Sequence, residues 1–353
     1  MVKLGPHDYV QTLRGQTLRF PNLDLPLKDW PKGMSPHYED LRMVQHLELR
    51  KLVGDGKAYD VCASTDCPYL AAAWFPNADW ERLRLASQII TFLYLWDDAI
   101  DNPHLTDMFH DVGASKNFRQ ETRNQFNRYL ADTPALEEAT CARLSPTLQS
   151  FVPVGEAFAF RMTKGQRKQI LDELNKYLDA CEFEQLSELS GQVPTMDEYL
   201  RRRMGTSCVG FIIACIEYIL DIDLGDTIRN DEYVKVVFDE TVFNISIIND
   251  LLSLKRELRY PFYNNAVAVL YHQYQDLQMA VDETHRIILR STEKLEDAAK
   301  LALQRYPERH EELATWIQGC KNLCTGNVAW SLHIARYALA GVKLLDGTTE
   351  ITV

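Results

Sequence analysis

Apolar residues recur at three- and four-residue spacing through most of this chain. The stretches YEDLRMVQHLELRKLV (38–53), DWERLRLASQIITFLYLW (79–96) and HRIILRSTEKLEDAAKLALQRY (285–306) each lay an apolar stripe along one side of a helix. Ser35 and Pro36 supply an N-cap and a first-turn proline, and Thr195 with Glu198 spells a capping box that opens another helix. Period-two alternation and Asn-Gly hairpin turns are missing, so the pattern predicts an all-α fold. Pro6, Pro21, Pro26, Pro31 and Pro36 predict an irregular strap over residues 1–35. Helical pattern then runs from 36 to about 340 with no repeat period and no shift in composition, which predicts one large domain. A short tail, 341–353, ends in GTTEITV, and the polar stretch 102–118 reads as a loop.

Composition narrows the class. With 353 residues, 46 % of them hydrophobic, the chain can bury a sizeable core. Lys and Arg number 38 against 50 Asp and Glu, and a net charge of -12 argues against nucleic acid or an anionic membrane as the main partner. An anionic substrate would need a local site of metal ions and a few arginines. The longest apolar run, Cys208 to Leu220, is too short to span a bilayer and contains Glu217. The first residues lack the apolar core of a signal peptide, and the eight cysteines form no CxxC pair. The expectation is a cytoplasmic protein without a membrane span, monomeric or homodimeric.

Two polar stripes interrupt this apolar pattern. In LYLWDDAID (93–101) a helix ends in Asp97, Asp98 and Asp101, with Asp97 and Asp101 one turn apart on one face. Like charges that close repel, whereas Mg²⁺ binds such oxygens, typically together with substrate phosphates. In NDLLSLKRE (249–257) an amide, a hydroxyl and a carboxylate, Asn249, Ser253 and Glu257, fall at successive four-residue steps along one helical face. They make a second hard-oxygen set, embedded in the apolar FNISIINDLLSL. Hydrolase motifs are missing: there is no GxSxG and no HExxH, and Gly54-Asp55-Gly56 does not extend to GxGxxG.

In these two motifs the chain resembles the class I terpene synthases, and among them the fungal-type sesquiterpene synthases. DDAID matches the family's aspartate-rich motif and NDLLSLKRE its Asn/Asp-x-x-Ser-x-x-x-Glu triad. Arg203 stands where the family places a diphosphate-sensing arginine, with Arg201 and Arg202 beside it as alternatives, and Arg336-Tyr337 where it places an Arg-Tyr pair. Arg256 replaces the usual lysine, and Thr206 stands where bacterial relatives often carry Asp. The resemblance implies a single-domain helical bundle around an apolar cavity, and ionisation of a prenyl diphosphate, farnesyl diphosphate above all. It implies three Mg²⁺ ions, held by Asp97 and Asp101 from one wall and by Asn249, Ser253 and Glu257 from the other. Arg203, Arg256, Arg336 and Tyr337 would donate hydrogen bonds to diphosphate, and Asp98 would latch to Arg336 on closure. Ile90 and Tyr94, by their helical spacing before the aspartates, with Phe75, Phe211, Phe243 and Trp330, are the candidate pocket walls. Gly205 and Gly210 suggest a helix break after Arg203, where the family points a backbone carbonyl at the substrate; Ser207 is the candidate here.

Rival readings are weaker. A prenyl-chain-elongating synthase would carry a second aspartate-rich motif at 249–257. A monoterpene or diterpene synthase, or one making an acyclic alcohol of the linalool or nerolidol type, would share every motif. A non-catalytic isoprenoid-binding protein would leave the ordered ligands and arginines unexplained.

Overall fold

The computed structural model describes residues 12–101, 105–133, 144–258, 264–334, 337, 339, 341–344 and 346–353. The apolar stripe of 38–53 forms α1, Tyr38–Val53. It starts at His37 with no side-chain cap; Ser35 instead turns the chain one step earlier, its Oγ accepting from His37 N at 3.3 Å. After α2, Cys67–Trp74, the second stripe forms α3, Trp80–Asp101. The polar stretch read as a loop turns helical at α4, Val112–Leu130, because Asp111 caps Ala114 N at 2.9 Å and Phe118 and Phe126 face inward. Two capping boxes, Thr163 with Gln166 and Thr195 with Glu198, open α5, Lys164–Ser190, and α6, Met196–Thr206. The chain continues through α7, Val209–Ala214, α8, Glu232–Glu257, α9, Ala266–Tyr274, α10, Leu277–Arg305, and α11, His310–His333.

Helix α8 is the axis of the bundle. Val237, Ile245, Ile247, Ile248, Leu251 and Leu254 bury it on nearly every side, between α10 and α11. Each such side chain contributes about 1.5–3 kcal/mol by burial. Gly326 lets α11 lie against α2, since a Cβ there would stand 2.9 Å from the Ala73 carbonyl group. Gly205 does the same for α6 on α5, where a Cβ would meet Ala180 Cβ at 2.5 Å.

The strap and the tail are less irregular than the sequence suggests. Thr17–Phe20 forms β1 and Thr349–Thr352 forms β3, paired antiparallel with Thr17 opposite Thr352; Val342–Lys343, β2, adds to the other edge of β3. Leu18, Phe20 and Ile351 turn inward while Thr17, Arg19 and Glu350 face out. Among the described residues all cysteines are free thiols, and no helix is long and apolar enough to cross a membrane.

Candidate active site

A cavity of about 310 Å³ opens between α2, α3, α5, α6, α7, α8 and α11. From α3 it takes Ile90, Leu93, Tyr94 and Asp97, one face of the helix at three- and four-residue steps. From α8 it takes Ile245, Ser246, Asn249, Arg256 and Glu257, and from α11 Asn327 and Trp330. On both α3 and α8 the charged groups follow the apolar ones, so the cavity has a polar mouth above an apolar chamber.

A hydrogen-bonded cluster fills one side of the mouth. Arg203 donates from Nε to Asp250 Oδ1 and from Nη2 to Asn249 Oδ1, each at 2.9 Å. Asn249 Nδ2 donates onward to Tyr337 Oη at 2.8 Å. Asp250 also accepts from Tyr199 Oη at 2.5 Å and from Ala266 N at 3.1 Å, which holds its carboxylate in one plane against Arg203. Asn265 Nδ2 bridges the Asp250 carbonyl at 2.6 Å and Glu257 Oε2 at 2.8 Å.

The electrostatics follow from burial. Glu257 titrates above its usual range because it is desolvated and faces Asp250; Ser253, Asn265 and Arg203 only partly offset this. Asp250 is raised by burial despite Arg203 and Tyr199, and Glu184 by burial despite Arg202 and Arg203. Burial works against the charge of Arg203, yet Asp250, Tyr199 and Glu257 together hold its proton more tightly than usual. The mouth is therefore rich in enclosed carboxylates short of positive charge.

The donor set suits a hard divalent cation. Ser253 Oγ, on a residue 1 % exposed, meets no partner in hydrogen-bonding geometry, although it lies near enough to Glu257 to favour that carboxylate's charge. Asn249, Ser253 and Glu257 all offer side-chain oxygens on α8; Asn249 and Glu257 line the cavity, and Asp97 faces it from α3. Among the described residues no three carboxylates, histidines or cysteines converge by themselves; the oxygen set is mixed and divided between two walls.

Of the three adjacent arginines, Arg203 reaches the cavity. Arg201 is exposed, and Arg202 is buried against Glu184 at 3.4 Å and Asn264 at 2.8 Å. Asp98 is buried beside the mouth and does not line it. Arg336 and the side chain of Asp101 lie outside the described residues. The helix break falls after Arg203: α6 ends at Thr206, Ser207 lines the cavity, and Cys208 takes the left-handed φ of 54° before α7.

Aromatic placement divides the candidates. Trp330 lines the chamber, donates Nε1 to the Thr65 carbonyl at 2.7 Å, and stands edge-on to Tyr337 at 5.5 Å and tilted to Tyr94 at 6.0 Å. Ile90 joins them. Phe75, Phe211 and Phe243 do not reach the wall. Phe75 closes α2 inside the core, and Phe211 points from α7 towards a separate groove beside Phe238. Phe243 lies about 200° around α8 from the cavity-lining Ile245. Apolar spacing marks buried faces but does not say which one meets a cavity.

Other residues of the site lie outside the motifs. Asp250 and Tyr199, buried behind Arg203, directly follow Asn249 and precede Arg203 by one turn, so both carry a local signal. Glu184, Trp74 and Tyr177 come from helices distant in sequence and carry none.

Comparison with known proteins accords with this geometry. Residues 88–294 match the family model described as terpene synthase family 2, C-terminal metal binding. The sesquiterpene cyclase hepA of Aspergillus oryzae is 28 % identical over 351 residues, 97 % of this chain and 95 % of that protein. Germacrene A synthase of Nostoc punctiforme is 23 % identical, over 81 % of this chain and 85 % of its own. Among solved structures, germacradien-4-ol synthase from Streptomyces citricolor superposes with a TM-score of 0.71 at 18 % identity, over 86 % of this chain and 97 % of that one, a likeness of fold.

Proposed function

The chain belongs to the terpene synthase family, and on that premise we propose that it ionises farnesyl diphosphate and converts the cation to a sesquiterpene hydrocarbon or alcohol. One observation carries this reading: Arg203, Asn249 and Tyr337 are hydrogen-bonded in series at a mouth shared with Asp97, directly above a chamber walled by Tyr94 and Trp330. The names of the similar proteins, a sesquiterpene cyclase and a germacrene synthase, support the fifteen-carbon substrate.

Family membership entails a divalent metal, and the oxygen set fits Mg²⁺. Asp97 with Asp101, and Asn249 with Ser253 and Glu257, would hold three ions when diphosphate is bound. The metal supplies positive charge against which the diphosphate can leave. The chain's own groups do the rest. Arg203 and Arg256, with Arg336 and Tyr337, donate hydrogen bonds to the leaving oxygens, the arginines in forked pairs. Asp250 and Tyr199 keep the Arg203 guanidinium aimed while the mouth is empty of anion. Asp98, buried beside Asp97, is the latch for Arg336 on closure. Tyr94 and Trp330 exclude water and face the cation with π-systems worth about 2 kcal/mol each when desolvated.

The variants Asp97→Asn and Glu257→Gln test the assignment. Each loses diphosphate release by at least about a hundredfold, the scale of a removed transition-state contact, while circular dichroism keeps its helical signal. Full activity in either variant contradicts the assignment.

A further inference from the structure

The strap ahead of β1 reaches the end of the helix that carries the triad. Arg14 donates from Nε to the Leu258 carbonyl at 2.5 Å. Leu258 directly follows Glu257, the last residue of α8, and is itself buried. Arg14 is held rather than loose. The Leu13 side chain before it is fully buried in the core, and Gly15 after it donates its N–H to the Val353 carbonyl at 2.6 Å. One step earlier, Thr12 Oγ1 lies 3.3 Å from Tyr271 Oη on α9. These contacts fix the backbone on both sides of Arg14 and so set where its guanidinium can reach.

The three triad residues are not equally secure. Asn249 sits two turns inside α8, tied to Arg203 and Tyr337, and Ser253 sits one turn inside. Glu257 stands in the last turn, where a helix frays first because its closing carbonyls have no intrahelical donor. Asn265 holds the Glu257 carboxylate. Arg14 holds the backbone beside it, and a cation at a helix C-terminus also complements the helix dipole. Arg256, which faces the cavity, is placed by the same turn.

We propose that Arg14 is a positioning residue for the metal site: it pins the last turn of α8, so that Glu257 and Arg256 are already in place when metal and diphosphate arrive. This rests on the proposed ionisation of farnesyl diphosphate and adds the N-terminal strap to its machinery. Arg14 donates to backbone and touches neither metal nor substrate. Without it the same ligands remain, but metal binding must order them, and a higher Mg²⁺ concentration restores that order by mass action. The effect therefore falls on the Mg²⁺ requirement and not on the maximal rate.

Two readouts on the full chain test this. In hydrogen–deuterium exchange without metal, the amides of residues 254–258 exchange about tenfold faster in Arg14→Ala than in wild type, the factor set by one hydrogen bond from a charged group. The amides of α10 keep their wild-type exchange, and Arg14→Lys, which retains a charge and a donor, lies between at 254–258. Diphosphate release from farnesyl diphosphate is then titrated with Mg²⁺. The half-maximal Mg²⁺ concentration rises by about tenfold in Arg14→Ala, while the rate at saturating Mg²⁺ stays near that of wild type. Arg19→Ala is the control: Arg19 joins the strap to the tail through Thr348 Oγ1 at 2.9 Å and Asp346, and its loss leaves the Mg²⁺ requirement unchanged. Unchanged exchange at 254–258, an unchanged Mg²⁺ requirement in Arg14→Ala, or an equal rise in Arg19→Ala overturns the role of Arg14 and leaves the ionisation standing. No diphosphate release from wild type at any Mg²⁺ concentration overturns the ionisation itself, and the role of Arg14 with it.

Discussion

Trp330 is anchored at one end and exposed to chemistry at the other. Its Nε1 is tied to the Thr65 carbonyl, and Tyr94 and Tyr337 flank its ring, so its face is held towards the chamber. Trp330→Ala removes a wall rather than a ligand: the product mixture changes while diphosphate is still released, as chromatography of the products alongside a phosphate assay would reveal. An unchanged mixture would place Trp330 outside the pocket. At this scale the sequence was informative where one helix carries the whole pattern. Asn249, Ser253 and Glu257 can be read as one stripe because a four-residue step lines them up without reference to any other element. Phe75, Phe211 and Phe243 were misplaced because most faces of these helices are buried, and helical phase does not distinguish core from cavity. Glu184 and Trp74 were invisible, since only packing brings them to the site.

Among the elements, α8 has the most to hold in register, because its last two turns bear the triad. Asp231 caps its start, accepting from Tyr233 N at 2.8 Å and Val234 N at 3.4 Å, and ties it to the end of α10 through Arg305 at 2.8 Å and Tyr306 Oη at 3.0 Å. Burial alone would raise the Asp231 pKa, but Arg305, the backbone amides and Tyr306 outweigh it and hold the carboxyl below its ordinary range. The folded state thus prefers the charged form. That stabilisation is complete above the ordinary aspartate pKa of about 4 and is lost as pH falls through the lowered value. Asp231→Ala costs about 1–2 kcal/mol at neutral pH, a few degrees in Tm, and the gap to wild type narrows on acidification. Thermal melts from pH 7 down to acid check this; a gap that widens in acid contradicts it. Helix existence was readable from period and caps, down to the span of α1. The polar surface of α4 hid a helix, and β1 with β3 is too short a pair, too far apart in sequence, for alternation to announce it.

For the whole molecule, the sheet fastens the N-terminal strap to the C-terminal tail, immediately after the segment that brings Tyr337 over the mouth. The acidic surface, with a net charge of -12, gives an anionic substrate no general attraction. On the proposed function, binding is confined to the mouth, where Arg203 and Arg256 face the cavity and the enclosed carboxylates suit a divalent ion. The all-α fold was legible in the sequence through its helical periodicity and its two ordered oxygen motifs. The shape of the chamber was not, because it is a product of seven helices meeting. The most direct measurement is diphosphate release from farnesyl diphosphate by the full chain, with Mg²⁺ and with the metal chelated. The account predicts release with Mg²⁺, none without it, and a sesquiterpene in the organic extract. Binding of farnesyl diphosphate with no release at any Mg²⁺ concentration would contradict it.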